Sequence, residues 1–232
     1  MRKYHIKKLT STVIVLLCLV LSCSAWAARQ INDMPFYGHN LPLEVQRYNK
    51  EFIARIDSSG VSHTKAAEEL IAEGWKYLNA RPRQPLFAIR RFNQAWLLDS
   101  NNANVFWGLG AAQCALGEYK DGLELLTKAA KLGENNPGIL CDIGCGYVHW
   151  GVDTKDPSKS QILLGKAITE FQTISKLHPS YEKTYYYWAV ALYAEKKYAA
   201  AWQMVKKARQ LGGKTLDPGF VQELAAKFPE PK

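Results

Sequence analysis

The feature that most limits this chain is a repeat of about 34 residues, because a period between 20 and 50 residues commits a sequence to stacked copies of one supersecondary unit. Triplets of small and apolar residues recur with spacings of four and then three: Ala88-Phe92-Ala95, Gly122-Leu126-Ala129, Ala167-Phe171-Ile174 and Ala201-Val205-Ala208. Their first members are separated by 34, 45 and 34 residues. A second series, Gly74, Gly110, Gly144 and Ala189, runs ahead of them at intervals of 36, 34 and 45. Spacings of three and four place residues on one face of a helix, so each unit reads as two helices. Small residues mark where the two approach, and large ones fill the space between pairs. One such pair buries too little surface to hold itself together, so the core has to come from stacking.

With their neighbours, these residues resemble the tetratricopeptide repeat. The second unit carries the pattern most fully: Phe106, Leu109, Gly110, then Gly117-Glu118-Tyr119 at the turn, Gly122, Leu126 and Ala129. The third has Leu140, Ile143, Gly144, Tyr147, Ala167 and Phe171, and closes on Leu177-His178-Pro179. The fourth has Tyr185, Trp188, Ala189, Leu192, Tyr198 and Ala201. The first fits least well, with Leu70, Gly74 and Tyr77 but Glu73 at a normally apolar place and two extra residues near Arg81-Pro82-Arg83. The resemblance implies an all-α fold: a right-handed superhelical solenoid of antiparallel helix pairs, with a capping helix at its C-terminal end.

The departures from the period are informative. Four repeats are expected over 65–214, the third lengthened by eleven residues near 151–161. The stretch Gly151 to Ser158 is polar and rich in turn formers, which predicts an exposed loop between the two helices of that repeat. Residues 28–64 form an N-terminal extension with one helix, spaced from Leu41 to Ile56, with Asn40 as a candidate cap and a stop near Asp57-Ser58-Ser59-Gly60. The segment Met34-Pro35-Phe36-Tyr37-Gly38 before it is expected to be extended, either packed on the first hairpin or lying in the groove. Gly212-Gly213 ends the last repeat helix. In 215–232, Asp217-Pro218 opens the capping helix, which carries Phe220, Leu224 and Phe228.

The first residues read as a targeting segment. Arg2, Lys3, Lys7 and Lys8 precede an apolar run from Val13 to Leu21, about half the length needed to span a bilayer. Ala25-Trp26-Ala27 then supplies a cleavage pattern, making 1–27 a signal peptide. The alternative is a lipoprotein signal over 1–22, Val20-Leu21-Ser22-Cys23, with Cys23 as the lipidation candidate. The expected location is accordingly the periplasm, or the periplasmic side of the outer membrane if Cys23 is acylated. Removing 1–27 leaves 26 basic and 21 acidic residues, a net charge of +5. That excess does not argue for nucleic acid, since no groove-reading motif accompanies it.

In the tetratricopeptide family the inner curve is lined by a fixed set of positions on each first helix. The resemblance carries these onto Ile71, Trp75, Leu78 and Asn79 in the first unit, and Asn104, Trp107, Ala111, Cys114 and Ala115 in the second. They fall on Cys141, Cys145, Val148 and His149 in the third unit and on Lys183, Tyr186, Val190 and Tyr193 in the fourth. The surface is aromatic and mostly uncharged, which suits a peptide or helix of a protein partner. Where the family's carboxylate-clamping repeats have lysine and asparagine, Ile71, Trp75, Trp107 and Ala111 stand instead, so that mode is not expected.

Cys141, Cys145 and His149 share one helix face at intervals of four, and the resemblance puts Cys114 on the neighbouring first helix. Three readings follow: small packing residues, a disulfide between Cys114 and Cys145 or Cys141, or a metal- or redox-responsive module using all four. The spacing matches no structural zinc pattern, and no cofactor is implied. The chain lacks G-x-S-x-G, H-E-x-x-H and phosphate-loop motifs, and its five histidines are scattered. The sequence therefore reads as a non-enzymatic binding scaffold in the cell envelope, and the resemblance implies assembly or secretion machinery by family analogy alone.

Overall fold

The computed structural model describes residues 31–38, 41–134 and 136–231. The targeting segment, Cys23 and Asn40 lie outside them. The chain divides after Ser100 into two compact units. Among the described residues the regular elements are ten α-helices and one 3-10 turn, with no strand. None of the helices is long and apolar enough to cross a membrane.

The first unit holds the 3-10 turn Pro35–Tyr37 and the helices α1 (Leu43–Ser59), α2 (His63–Asn79) and α3 (Pro85–Leu98). Helix α1 starts two residues later than its spacing predicts. Pro42 disfavours helical backbone in Leu41 before it, and is itself extended at ψ 150°. The helix ends where Gly60 turns left-handed at φ 73°. Ser62 caps α2 by accepting from the Lys65 amide. Helices α2 and α3 form a hairpin, closed so tightly that a Cβ on Gly74 would lie 2.5 Å from Cε1 of Phe92.

The predicted extended segment at 34–38 is instead a tight turn, with Phe36 and Tyr37 both left-handed at φ 55° and 60°. Left-handed backbone costs each about 1–2 kcal/mol. The cost is offset by a receptor built on α3. Asn93, fully buried, accepts from the Phe36 amide at 2.8 Å and donates to the carbonyls of Met34 at 2.7 Å and Asn32 at 3.2 Å. Arg90 forks onto Asp33 at 2.6 and 3.2 Å, and the Phe36 ring meets Trp96 edge-on. These contacts run to the second helix of the hairpin.

The second unit contains α4 (Ala103–Ala115), α5 (Tyr119–Leu132), α6 (Pro137–Asp153), α7 (Pro157–Leu177), α8 (Glu182–Ala194), α9 (Tyr198–Gln210) and α10 (Pro218–Lys227). The first six form three antiparallel hairpins, each resting on the next, with α4, α6 and α8 side by side. This is an all-α solenoid arrangement. Side-chain caps from Asn102, Asn136, Asp156 and Asp217 open four of the helices, three of them with proline in the first turn.

The small and large positions of the repeat explain how each hairpin closes. A Cβ on Gly144 would meet Phe171 at 2.5 Å, and one on Gly110 would meet the Gly122 carbonyl and Leu126, each at 2.8 Å. In the last hairpin the facing residue is the smaller Val205, and there Ala189 fits, fully buried. The sizes compensate across the interface, as close packing requires.

The predicted loop at 151–158 is a correction. Helix α6 continues to Asp153 and α7 begins at Pro157, leaving three linking residues. Helix α6 is four residues longer than α4, and α7 seven longer than α5, which together take up the eleven extra residues. The added turns make their own contacts. Gly151 is buried against Leu163 and Leu164, and its carbonyl accepts from the Ser160 hydroxyl at 2.6 Å. Tyr119 stacks on Trp150 and hydrogen-bonds Asp153.

Helix α10 packs on the last hairpin. Leu224 is fully buried with Ala189, Leu192, Ala201, Trp202 and Val205 around it. The Trp202 indole donates to the Phe228 carbonyl at 2.8 Å. Glu182 holds the preceding loop by accepting from the amide and hydroxyl of Thr215.

Candidate functional site

In the second unit, α4, α6 and α8 present one common face. Its centre is a hydrogen bond from the Trp107 indole on α4 to Oδ2 of Asp142 on α6, at 2.6 Å. Gly138 makes this possible, because a Cβ there would lie 2.8 Å from Cη2 of the Trp107 ring. Trp107 and Asp142 are each half-buried. The carboxylate thus has a fixed direction on this face.

The three cysteines surround it. Cys141 is buried, while Cys114 and Cys145 are half-buried. All three are free thiols, so the Cys114–Cys145 disulfide is not formed. The Cys114 sulfur instead fills the notch beside Gly122 and Gly146, and the Cys145 thiol is hydrogen-bonded to Cys141. Burial, followed by the Asp142 charge, pushes Cys114 up to about 12. Burial first, then Cys141, Asp142 and Cys114, also drives Cys145 well above the ordinary thiol value. Thiols held neutral are poor nucleophiles and poor metal ligands, which weighs against the redox- or metal-responsive alternative. His149 is exposed at the far end of α6. Among the described residues, no three Cys, His, Asp or Glu side chains converge as a metal ion requires.

The tyrosines near α8 complete the surface. Tyr187 lies against Tyr186, with ring centroids 4.8 Å apart. Tyr181 and Tyr187 both pack on the core cluster that contains Cys141. Burial is the main cause of the upward shift of both phenols, with Asp142, Cys141 and Cys145 adding to it; Tyr181 reaches about 12.

The residues that the resemblance assigns to the inner curve divide into three groups. Ile71, Leu78, Cys141 and Val148 are buried and belong to the core. Asn79, Asn104, Ala115, His149 and Lys183 are exposed, and Trp75, Trp107, Ala111, Cys114, Cys145 and Val190 are half-buried. Trp75 leans edge-on against Phe92 of its own hairpin. Tyr186 and Tyr193 are covered in part by Phe220 of α10, at 5.8 and 5.6 Å between ring centroids. The residues that the pattern missed are Asp142, Tyr181 and Tyr187. Asp142 and Tyr187 each stand one position beyond an assigned residue, and Asp142 lies 35 residues after Trp107, one repeat and one step along.

No protein-family model matches the chain, and no curated protein matches it. Solved structures do. One is a thermophilic TPR protein, TTC0263, from Thermus thermophilus, with a TM-score of 0.61 and 18% identity over 70% of this chain and 81% of that one. Another is MamA, residue 41 to its end, from Desulfovibrio magneticus RS-1, with a TM-score of 0.51 and 17% identity over 70% and 83%. At such identities the likeness is one of fold, and the fold is the tetratricopeptide one.

Proposed function

We propose that this chain is a non-enzymatic scaffold that binds a peptide or helix of a protein partner on the face shared by α4, α6 and α8. The observation that supports this most directly is the Trp107–Asp142 pair, an oriented indole and carboxylate on a surface of half-buried rings. Half-buried aromatic side chains with polar tips offer large contact area at small entropic cost, and such residues dominate protein interfaces. The thiols of Cys114 and Cys145 beside them are held in their neutral form, which suits packing rather than chemistry.

The cell-envelope setting rests on the first 27 residues, with cleavage after Ala27 or acylation at Cys23, and a role in assembly or secretion rests on analogy of fold. Intact mass of the exported chain distinguishes cleavage after Ala27 from a lipid on Cys23, and recovery of the uncleaved chain from the cytoplasm would remove the envelope reading. For the binding face, Trp107→Ala is expected to abolish crosslinking to the native partner while helical content by circular dichroism is kept. Undiminished crosslinking in that variant would eliminate this face.

A further inference from the structure

We propose that the turn between α2 and α3 is a second binding site, which takes an acidic segment of a protein partner by seating a carboxylate between Arg81 and Arg83. This turn is where the first repeat departs from its period. Three linking residues join the helices of each hairpin in the second unit, whereas five, 80–84, join α2 to α3. Asn79, Ala80, Arg81, Pro82 and Arg83 line a cavity of about 310 Å³. That is the small end of the range for ligand pockets, about 300–1,000 Å³, and suits an acidic side chain. Tyr77 braces the turn. Its carbonyl accepts from the amides of Ala80 at 3.4 Å and Gln84 at 3.0 Å, which ties both ends to one point, and its ring stacks on Phe87 of α3 with centroids 5.5 Å apart. Pro82 fixes one backbone angle between the two arginines. A turn held in this way has little freedom left to lose when a ligand arrives.

The α2–α3 hairpin carries four arginines, and they differ in what they touch. Arg90 is forked onto Asp33, and Arg91 pairs with Glu73 at 3.1 Å. Arg81 and Arg83 are exposed, and among the described residues neither has an ion-pair or hydrogen-bond partner. The arginines of α3 are thus compensated and those of the turn are not, which favours an incoming anion by charge complementarity. Guanidinium groups grip a carboxylate through paired N–H donors, and arginine clusters are a recurring means of capturing acidic motifs. A lipid phosphate offers similar oxygens, but the surroundings favour a peptide. Leu86 and Phe87, exposed in the first turn of α3, give room for one or two apolar side chains, whereas a helix lying on a membrane needs a continuous apolar face. The expected motif is an acidic pair beside an apolar residue.

The test is fluorescence anisotropy on the full chain with a panel of short labelled peptides in which a pair of glutamates or aspartates stands beside leucine or phenylalanine. Amide counterparts of the same peptides and vesicles of phosphatidylglycerol are titrated alongside. The expected result is binding of acidic peptides that weakens as salt rises, and that is at least about tenfold weaker both for the amide counterparts and for the double variant Arg81→Gln, Arg83→Gln. Both positions are exposed, and circular dichroism checks that the variant keeps its helices. Failure of every acidic peptide to bind, equal binding of their amide counterparts, or undiminished binding by the double variant would overturn the site. Vesicles held through the two arginines in the absence of peptide binding would overturn the peptide in favour of a lipid surface.

Discussion

The faces of α6 and α8 occupy equivalent places in successive repeats of the second unit, yet they have different surroundings. On α6 the face carries Asp142 and two cysteines, with Trp107 of the neighbouring helix bonded to the acid. On α8 it carries Tyr186 and Tyr193, and Phe220 from α10 rests edge-on against both rings. A place in the repeat sets the direction of a side chain, whereas its exposure depends on what the chain folds over it. The tyrosines of α8 therefore serve in part as the seat of the capping helix, whereas the α6 face holds the carboxylate that Trp107 orients.

The largest expected effect comes from removing that seat's anchor. Leu224→Ala should destabilise the fold by about 2–5 kcal/mol, as truncation of a fully buried leucine does. It should also raise hydrogen exchange over 218–227 first. Unchanged exchange there would mean that α10 is not held by this contact, and the two faces would differ less than described.

On the other side of the comparison, Gly144→Ala should cost about 1–3 kcal/mol through overpacking against Phe171. The reverse change in the last hairpin, Ala189→Gly, should cost only about 0.5–1 kcal/mol, mainly through helix propensity. Denaturant midpoints of the two variants check the ranking, and equal midpoints would remove the size compensation inferred between repeats. Trp202→Phe, which loses the indole bond to the Phe228 carbonyl, should cost about 1 kcal/mol by the same measurement.

Alkaline titration sharpens the description of the α6 face. Cys114 and Tyr181 hold their protons more tightly folded than unfolded, both to about 12. The stability they contribute is complete below their unfolded values, near 9 and 10, and is lost as pH rises towards about 12. Thiol-reagent kinetics in the native protein should therefore stay slow near pH 8 and become fast on unfolding. Rapid native labelling of Cys114 at that pH would contradict the neutral, packed thiol.

The smallest effect is expected at Glu170 on α7, whose carboxyl is raised by burial. Its ionised form is penalised in the fold, so Glu170→Gln should stabilise at neutral pH by under about 0.5 kcal/mol. That gain should vanish as pH falls below the unfolded carboxylate value, where the native glutamate is also neutral. A pH-independent difference in thermal midpoint would assign the effect to something other than charge.

Much of the fold was legible in the sequence. The small residues at 74, 110, 144 and 189 and the large ones at 92, 126, 171 and 205 located every hairpin, because these contacts join helices that are neighbours in the chain. Gly60, Asp217 and Pro218 likewise marked helix ends through local backbone chemistry. The extra residues of the third repeat were misread as a loop because Gly151 and its polar neighbours have turn-forming composition. Burial of Gly151 against Leu163 and Leu164, which allows the helices to continue, is a tertiary fact. The turn at 35–37 was misread for the same reason, since its backbone is dictated by Asn93, 57 residues away from Phe36.

The candidate site shows the same division. The sequence alone determined which helices line the face, because a repeat that buries its core only against adjacent copies writes that core as a period. Only the tertiary structure decided which of those residues remain reachable and that Asp142 stands at the centre. Coverage by α10 and the bond from Trp107 to Asp142 depend on side chains brought together across separate helices, and no periodic pattern records them.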